Sequence, residues 1–170
     1  DYFDFMAGTS TGALLSCVYL TPGENNALRP RFSAKEALDF YFAYGSVAFK
    51  PCTGENSAGF HKYHPEGLEA QMRIFFKDLK ISQLIKPCCV TAYDINHSEP
   101  HLFLSHKAVS DPRADYYVKD IARATSALPG IFPPAKITSL AERSYTFIDG
   151  SIFAYNPALF AYVQAKEMFP

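Results

Sequence analysis

The chain has 170 residues, 48% of them apolar, with 15 Phe and 11 Tyr, which is the size of one ordinary domain with enough apolar mass for a substantial core. Charged residues make up only 19% and nearly cancel to a net charge of -1. That excludes a disordered polyelectrolyte and removes the global field that would draw in nucleic acid or an anionic membrane, so any lipid contact must be apolar or local. Cys17, Cys52, Cys88 and Cys89 form no CxxC pair and no dense framework, so a reducing compartment is expected. Neither a basic-then-apolar leader nor an uninterrupted apolar run of spanning length is visible, and the expectation is a cytoplasmic protein or one peripheral at membranes.

Tyr2 to Ala7 is a short apolar run ended by Gly8, which predicts a buried strand and a turn. Gly12 to Leu20 follows as a helix. A Pro/Gly/Asn-rich loop over Thr21 to Pro30 leads to Ser33 with Glu36 three positions on, the spacing of a capping box, and a helix from Ala34 to about Phe49. After a second loop, Pro51 to Gly59, Pro65 opens a helix running to about Asp78 with Leu68, Met72, Phe75 and Leu79 on one face. His61 and His64 are three apart, but no further ligand type completes a metal site, and they read as surface or capping residues.

Cys88 to Ile95 predicts a strand, in which the two adjacent cysteines point to opposite faces and are poor partners for each other. His101 to Ser105 is a candidate next strand. Ala114 to Ser126 carries Val118, Ile121, Ala122 and Thr125 at helical spacing and is stopped by Pro129-Gly130. Tyr145 to Ile148 predicts the last strand, ended by Asp149-Gly150, and Pro157 opens a final helix. The alternation predicts an α/β fold with a mostly parallel central sheet flanked by helices.

The sharpest local signal is Gly8-Thr9-Ser10-Thr11-Gly12, a G-x-S-x-G pentapeptide between a predicted strand and a predicted helix. Such a reversal exposes the central hydroxyl, and the two glycines are expected to remove Cβ atoms that would collide in the turn. Ser10 would then stand at a helix N-terminus, where free N–H groups favour developing negative charge. A serine needs a base. Two remain open from the residues alone. Asp149 ends its strand as Ser10 ends its own, and the C-terminal strand edge is where α/β sites are built. Alternatively Asp94 with His97, His101 or His106 would give a Ser-His-Asp order, at the cost of crowding acid and base into one hairpin. The aromatic segment Phe40 to Phe49 reads as core or as a lid or interface helix, and Arg29, Arg31, Lys35 and Lys50 flank it either to meet phosphate headgroups or as a solvated polar face.

Four blocks together resemble the patatin-like phospholipases, lipid acyl hydrolases with a Ser-Asp dyad. They are Asp1-Tyr2-Phe3-Asp4 leading into the pentapeptide; Phe60-His61-Lys62-Tyr63 with the later Ala92-Tyr93-Asp94; Ala124-Thr125-Ser126-Ala127 with Phe132-Pro133-Pro134; and Asp149-Gly150 with Asn156-Pro157-Ala158. The resemblance covers essentially the whole chain. It implies a single patatin-like catalytic domain over residues 1–170, Ser10 as nucleophile and Asp149 as base, with Gly8, Thr9, Thr11, Gly12 and Gly150 forming the elbow and its surroundings. It further implies a lipid or phospholipid ester as substrate, peripheral membrane contact, and no metal or organic cofactor. Ser151 stands where the family has Gly or Ala. The family's upstream oxyanion motif, G-G-G-x-[RK]-G, does not occur in these 170 residues. The expectation is therefore a piece lacking the first strand and oxyanion loop, feeble by itself, with an uncovered sheet edge. An inactive lipid-binding or regulatory module is the alternative from another class.

Overall fold

The computed structural model describes residues 2–51 and 61–169, so Cys52, Phe60 and most of the second predicted loop lie outside the described residues. The described residues form five strands and seven α-helices, in the order β1 (Met6–Thr9), α1 (Thr11–Leu20), α2 (Ala34–Ala48), α3 (Glu66–Phe76), β2 (Cys88–Asp94), β3 (Glu99–Leu104), α4 (Ser105–Ala108), α5 (Val118–Thr125), β4 (Ala135–Thr138), β5 (Ser144–Asp149), α6 (Ser151–Ala154) and α7 (Ala158–Met168). This is the expected α/β architecture, a mixed central sheet flanked by helices. The parallel part of that expectation is one pair, β1 with β2, while β3 and β5 pair antiparallel with β2, and β4 antiparallel with β5.

β2 is the spine. One of its edges is taken by β3 along Cys89 to Asp94. The other edge is shared in tandem: β1 occupies Cys88 to Thr91, and β5 occupies Ala92 to Asp94 from the opposite direction. The C-terminal ends of β1 and β5 therefore meet head to head beside Thr91 and Ala92. Residues of β2 are buried on both faces, including Cys88 and Cys89, because helices cover both sides. Gly8 faces α1, and the next residue, Thr9, reaches the Ala154 carbonyl of α6 at 2.8 Å, as the period of two in a strand requires. Next to α1 on its face lies α5, with α2 and α3 packed against these two helices. Burial pushes the Cys88 and Cys89 thiols up to about 12, which makes them inert core residues.

Several boundaries shift for tertiary reasons. β1 begins at Met6, not Tyr2, because its first amide pairs with the Pro87 carbonyl (3.1 Å), and Pro87 itself has no N–H to continue the ladder; Tyr2 and Phe3 are exposed. The predicted Ala114 to Ser126 helix shortens to α5. Residues 115–117 are drawn off it: the Asp115 carboxylate accepts the Ser82 hydroxyl and amide (2.7 and 3.2 Å), and the Ile81 amide donates to the Tyr116 carbonyl (2.9 Å). β4 has no forecast at all, because four residues with a Lys among them carry too little pattern. The Ser33–Glu36 capping box forms as expected.

His101 packs among Phe103, Phe147 and Tyr116, with ring centroids 4.6, 4.9 and 6.3 Å away. Burial holds its imidazole down to about 4, only partly opposed by Asp94. The folded state thus keeps His101 neutral while the unfolded chain protonates it below about pH 6.5, so stability present above that value is lost as pH falls toward 4. We expect His101→Phe to reduce the loss of Tm between about pH 7 and pH 5 relative to the parent chain. The exposed His97, raised by its bond to Asp94, is common to both proteins and cancels. Equal slopes in thermal melts would contradict this assignment.

Candidate active site

Ser10 joins β1 directly to α1 with φ 54° and ψ −126°, a left-handed conformation that a non-glycine residue adopts only when its surroundings enforce it. Three hydrogen bonds do so. The Ser10 carbonyl accepts the Ala13 and Leu14 amides at 3.0 and 3.2 Å, and the Ser10 amide donates to Thr125 Oγ1 at 2.8 Å. The turn closes so tightly that a Cβ on Gly8 would run into the backbone of Ala13, within 2.6 Å of the Gly12 carbonyl carbon. Gly12 corrects its expectation. A Cβ there meets nothing within 4 Å, because the residue sits on the solvent side of the first turn of α1. The amides of Thr11 and Gly12 open α1 and have no acceptor within the helix.

Thr91 lies where the two strand ends meet, and it is completely buried. Thr9 Oγ1 donates to the Ala154 carbonyl, so the Thr91 hydroxyl is the donor in the 2.7 Å bond between the two threonines. The Thr91 carbonyl accepts the Thr125 hydroxyl at 2.7 Å. A Cβ on Gly150 would strike Thr91 Oγ1 and lie 2.6 Å from the Thr91 carbonyl oxygen, which is why a glycine follows Asp149.

Asp149 is fully buried and pairs in register with Ala92, one residue along from the Thr91 that pairs with Thr9. That places the backbones of the two strand ends about 3.3 Å apart along β2. The Asp149 amide donates to the Ala127 carbonyl (3.1 Å), Oδ1 accepts the Ser151 amide (2.8 Å), and Oδ2 has no partner among the described residues. Among the described residues no hydrogen bond joins Ser10 to Asp149. The topology corrects the sheet-edge argument: β5 runs opposite to β1, so the two strands share no C-terminal edge, and their ends meet head to head partway along β2.

A cavity of about 400 Å³ opens on the half-buried Ser10. Its wall is mostly apolar: Tyr44, Phe49, Tyr63, Leu128, Ile131 and Phe132, with Thr11 and Ser126 as polar members. Phe49, Tyr63 and Phe132 form an aromatic cluster with centroids 5.2 to 6.0 Å apart. The aromatic segment is therefore divided: Tyr44 is buried and helps line the cavity, while Phe42 is 71% exposed, and one turn earlier on α2 Leu38 is 52% exposed.

None of the five histidines lines this cavity. His97 does bind the buried Asp94 through Nδ1, yet its ring stands against Tyr145, four residues back along β5 from Asp149 and so about 13 Å away at strand rise. His101 is enclosed in the aromatic core, and His106 lies near Phe5 at the opposite end of β1. His64 Nδ1 is 3.8 Å from Glu66, and His61 is half-buried. Among the described residues no group of three or more His, Cys, Asp or Glu is placed to hold a metal ion, and no helix is long and apolar enough to cross a membrane. Sequence reading assigned no role to Thr91 and none of its own to Thr125. The available signal was a hydroxyl in an otherwise apolar buried strand and another at a helix end, since a buried hydroxyl must find a partner.

A sharp strand–serine–helix turn over a helix-flanked mixed sheet defines an α/β protein of the serine-elbow type. The comparisons are narrower: the sequence profile of the patatin-like phospholipases matches residues 1–162, and the chain belongs to that family of lipid acyl hydrolases. It is 32% identical, over 99% of its length, to "Probable inactive patatin-3-Kuras 1" of Solanum tuberosum, covering 45% of that protein. It is 34% identical, over 95% of its length, to "Patatin-like protein 2" of Arabidopsis thaliana, covering 42% of it. The chain thus spans less than half the length of these relatives. Among solved structures, VipD from Legionella pneumophila matches 72% of this chain and 20% of its own at a TM-score of 0.30 and 15% identity.

The two glycines of the pentapeptide are separable. Gly8→Ala is expected to lower unfolding stability by about 1–3 kcal/mol, since only backbone could yield to the new atom. Gly12→Ala should be neutral or stabilising, by at most about 1 kcal/mol, through helix propensity. Urea midpoints of the two variants check this; equal losses would show that Gly12 is also sterically required.

Proposed function

We propose that the full protein is a serine-dependent lipid ester hydrolase, of phospholipase A or lysophospholipase type, in which Ser10 is the nucleophile and Asp149 the general base. The observation that carries the reading is the orphaned Asp149 Oδ2, buried without a donor beside the lane that ends in Ser10. A buried carboxylate oxygen is costly to leave unpaired, and the hydroxyl of Ser10 is the donor that would complete it when substrate closes the site. Catalytic hydrogen bonds are commonly long before substrate binds.

In this mechanism Asp149 takes the Ser10 proton as Oγ attacks the ester carbonyl carbon. The resulting oxyanion is met by the Thr11 amide at the start of α1. Collapse breaks the carbon–oxygen bond to the leaving alcohol, which receives the proton from Asp149. Water then gives its proton to Asp149 and attacks the acyl-enzyme, and Ser10 departs reprotonated. No metal or organic cofactor enters these steps. The apolar cavity suits an acyl chain, and the exposed Leu38 and Phe42 on the helix that lines it favour approach to a lipid surface. Because these 170 residues contain no G-G-G-x-[RK]-G motif, we expect this stretch alone to turn over on the order of a hundred- to a thousand-fold slower than a protein with a second oxyanion donor.

Ser10→Ala and Asp149→Asn in the full-length protein should each lower hydrolysis of a p-nitrophenyl acyl ester and of phosphatidylcholine micelles by on the order of a thousandfold or more, with the melting transition retained. Normal turnover by either variant would refute the assignment. Replacing all five histidines should leave most of the activity, whereas its collapse would restore a base built from Asp94 and a histidine. The second reading is a lipid-binding or regulatory module without turnover, favoured by the word "inactive" in a relative's name. Mass spectrometry of the Ser10 peptide after fluorophosphonate treatment separates the two: an adduct supports the enzyme, its absence the module.

A further inference from the structure

We propose that Thr125 is the positioning residue of the site: its hydroxyl fixes where Ser10 stands relative to Asp149. The inference rests on the Ser10–Asp149 reading above. A threonine at the end of a helix ordinarily turns its hydroxyl back to the carbonyl four residues earlier. Thr125, the last residue of α5 and completely buried, does something else. Its proton goes to the Thr91 carbonyl at 2.7 Å, and its lone pair receives the Ser10 amide at 2.8 Å. Both partners are distant in sequence and both are backbone groups of the seam.

The reason lies in the tandem arrangement on β2. β1 ends at Thr9 against Thr91, and β5 ends at Asp149 against Ala92, so the ladder has a break between the two strand ends. The Thr91 carbonyl and the Ser10 amide fall at that break, and one hydroxyl satisfies both. Two residues on, the Ala127 carbonyl accepts the Asp149 amide at 3.1 Å. The segment 125–127 therefore straps together the amides of the nucleophile and of the base. The Thr125 bond is also one of the three that hold the left-handed Ser10 (φ 54°), and the only one of them made by its amide. It commits the Ser10 amide as well, which leaves the Thr11 amide as the elbow's oxyanion donor.

Thr125 touches no substrate, so its effect should fall on the reaction and not on binding. In the full-length protein, Thr125→Val keeps the shape and removes the hydroxyl. It is expected to slow fluorophosphonate labelling of Ser10 and to lower kcat by on the order of ten- to a hundred-fold, with KM changed less than about threefold. Thr125→Ser keeps the hydroxyl and should stay within about threefold of the parent on both measures. Amide hydrogen exchange at Ser10 reads the strut without turnover and should be faster in Thr125→Val than in Thr125→Ser. A folded Thr125→Val that labels Ser10 at the parental rate overturns the proposal. So does a Thr125→Ser variant slowed tenfold, whether or not the valine variant folds, and so does unchanged exchange at Ser10. Parental turnover in Ser10→Ala, with exchange still altered in Thr125→Val, would instead defeat the Ser10–Asp149 reading and leave the strut in place.

Discussion

The structure depends on how one edge of one strand is shared. β2 offers its first half to β1 in parallel and its second half to β5 in antiparallel orientation, and the two ends must stop at the same point without leaving backbone groups unpaired. Thr91 makes this possible. Its hydroxyl holds Thr9, its carbonyl is closed by Thr125, and its side chain and carbonyl lie where any residue larger than glycine at 150 would have to go. In a buried strand each of these groups would cost energy if left open. Satisfying them forces the serine turn and the aspartate end into adjacent positions.

This arrangement concentrates irregularity where chemistry is expected. Ser10 is one of four non-glycine residues with positive φ among those described, and it is the one that opens onto the apolar cavity beside the β1–β5 seam. Among the described residues, Asp149 Oδ2 and Ser126 Oγ are two of five buried side-chain polar atoms without a hydrogen-bond partner. A rigid sheet with covered faces holds the strain that an isolated loop would relax. The cavity is apolar because α2 brings Tyr44 to it, Phe49 follows from the end of that helix, and residues 128–132 bring Leu128, Ile131 and Phe132, so a water-poor wall stands over Ser10.

Local patterns were legible where their cause is local. The Ser33–Glu36 cap, the helical face of α3, and the strand–glycine–serine–helix order of the pentapeptide all follow from spacing within a few residues. The ends of β1 and α5 were not, since Pro87 and the Ser82–Asp115 contact decide them from afar. Gly8 and Gly12 show the same division: the pentapeptide treats them alike, yet only Gly8 lies against another backbone. β4 has too few residues to carry a period. The resemblance, which linked blocks far apart in the chain, gave the family that the profile match supports.

Sequence alone determined that this is an α/β chain of the patatin-like family with a serine in a glycine-flanked turn and an aspartate closing a late strand, because those features are written in residue type and short-range order. Tertiary structure alone decided that the two strands end against each other on β2, that Thr91 and Thr125 bind the seam, and that the histidines stand elsewhere. The physical reason is that strand direction and the pairing of buried backbone groups are settled between segments, and no segment encodes the partner it will meet.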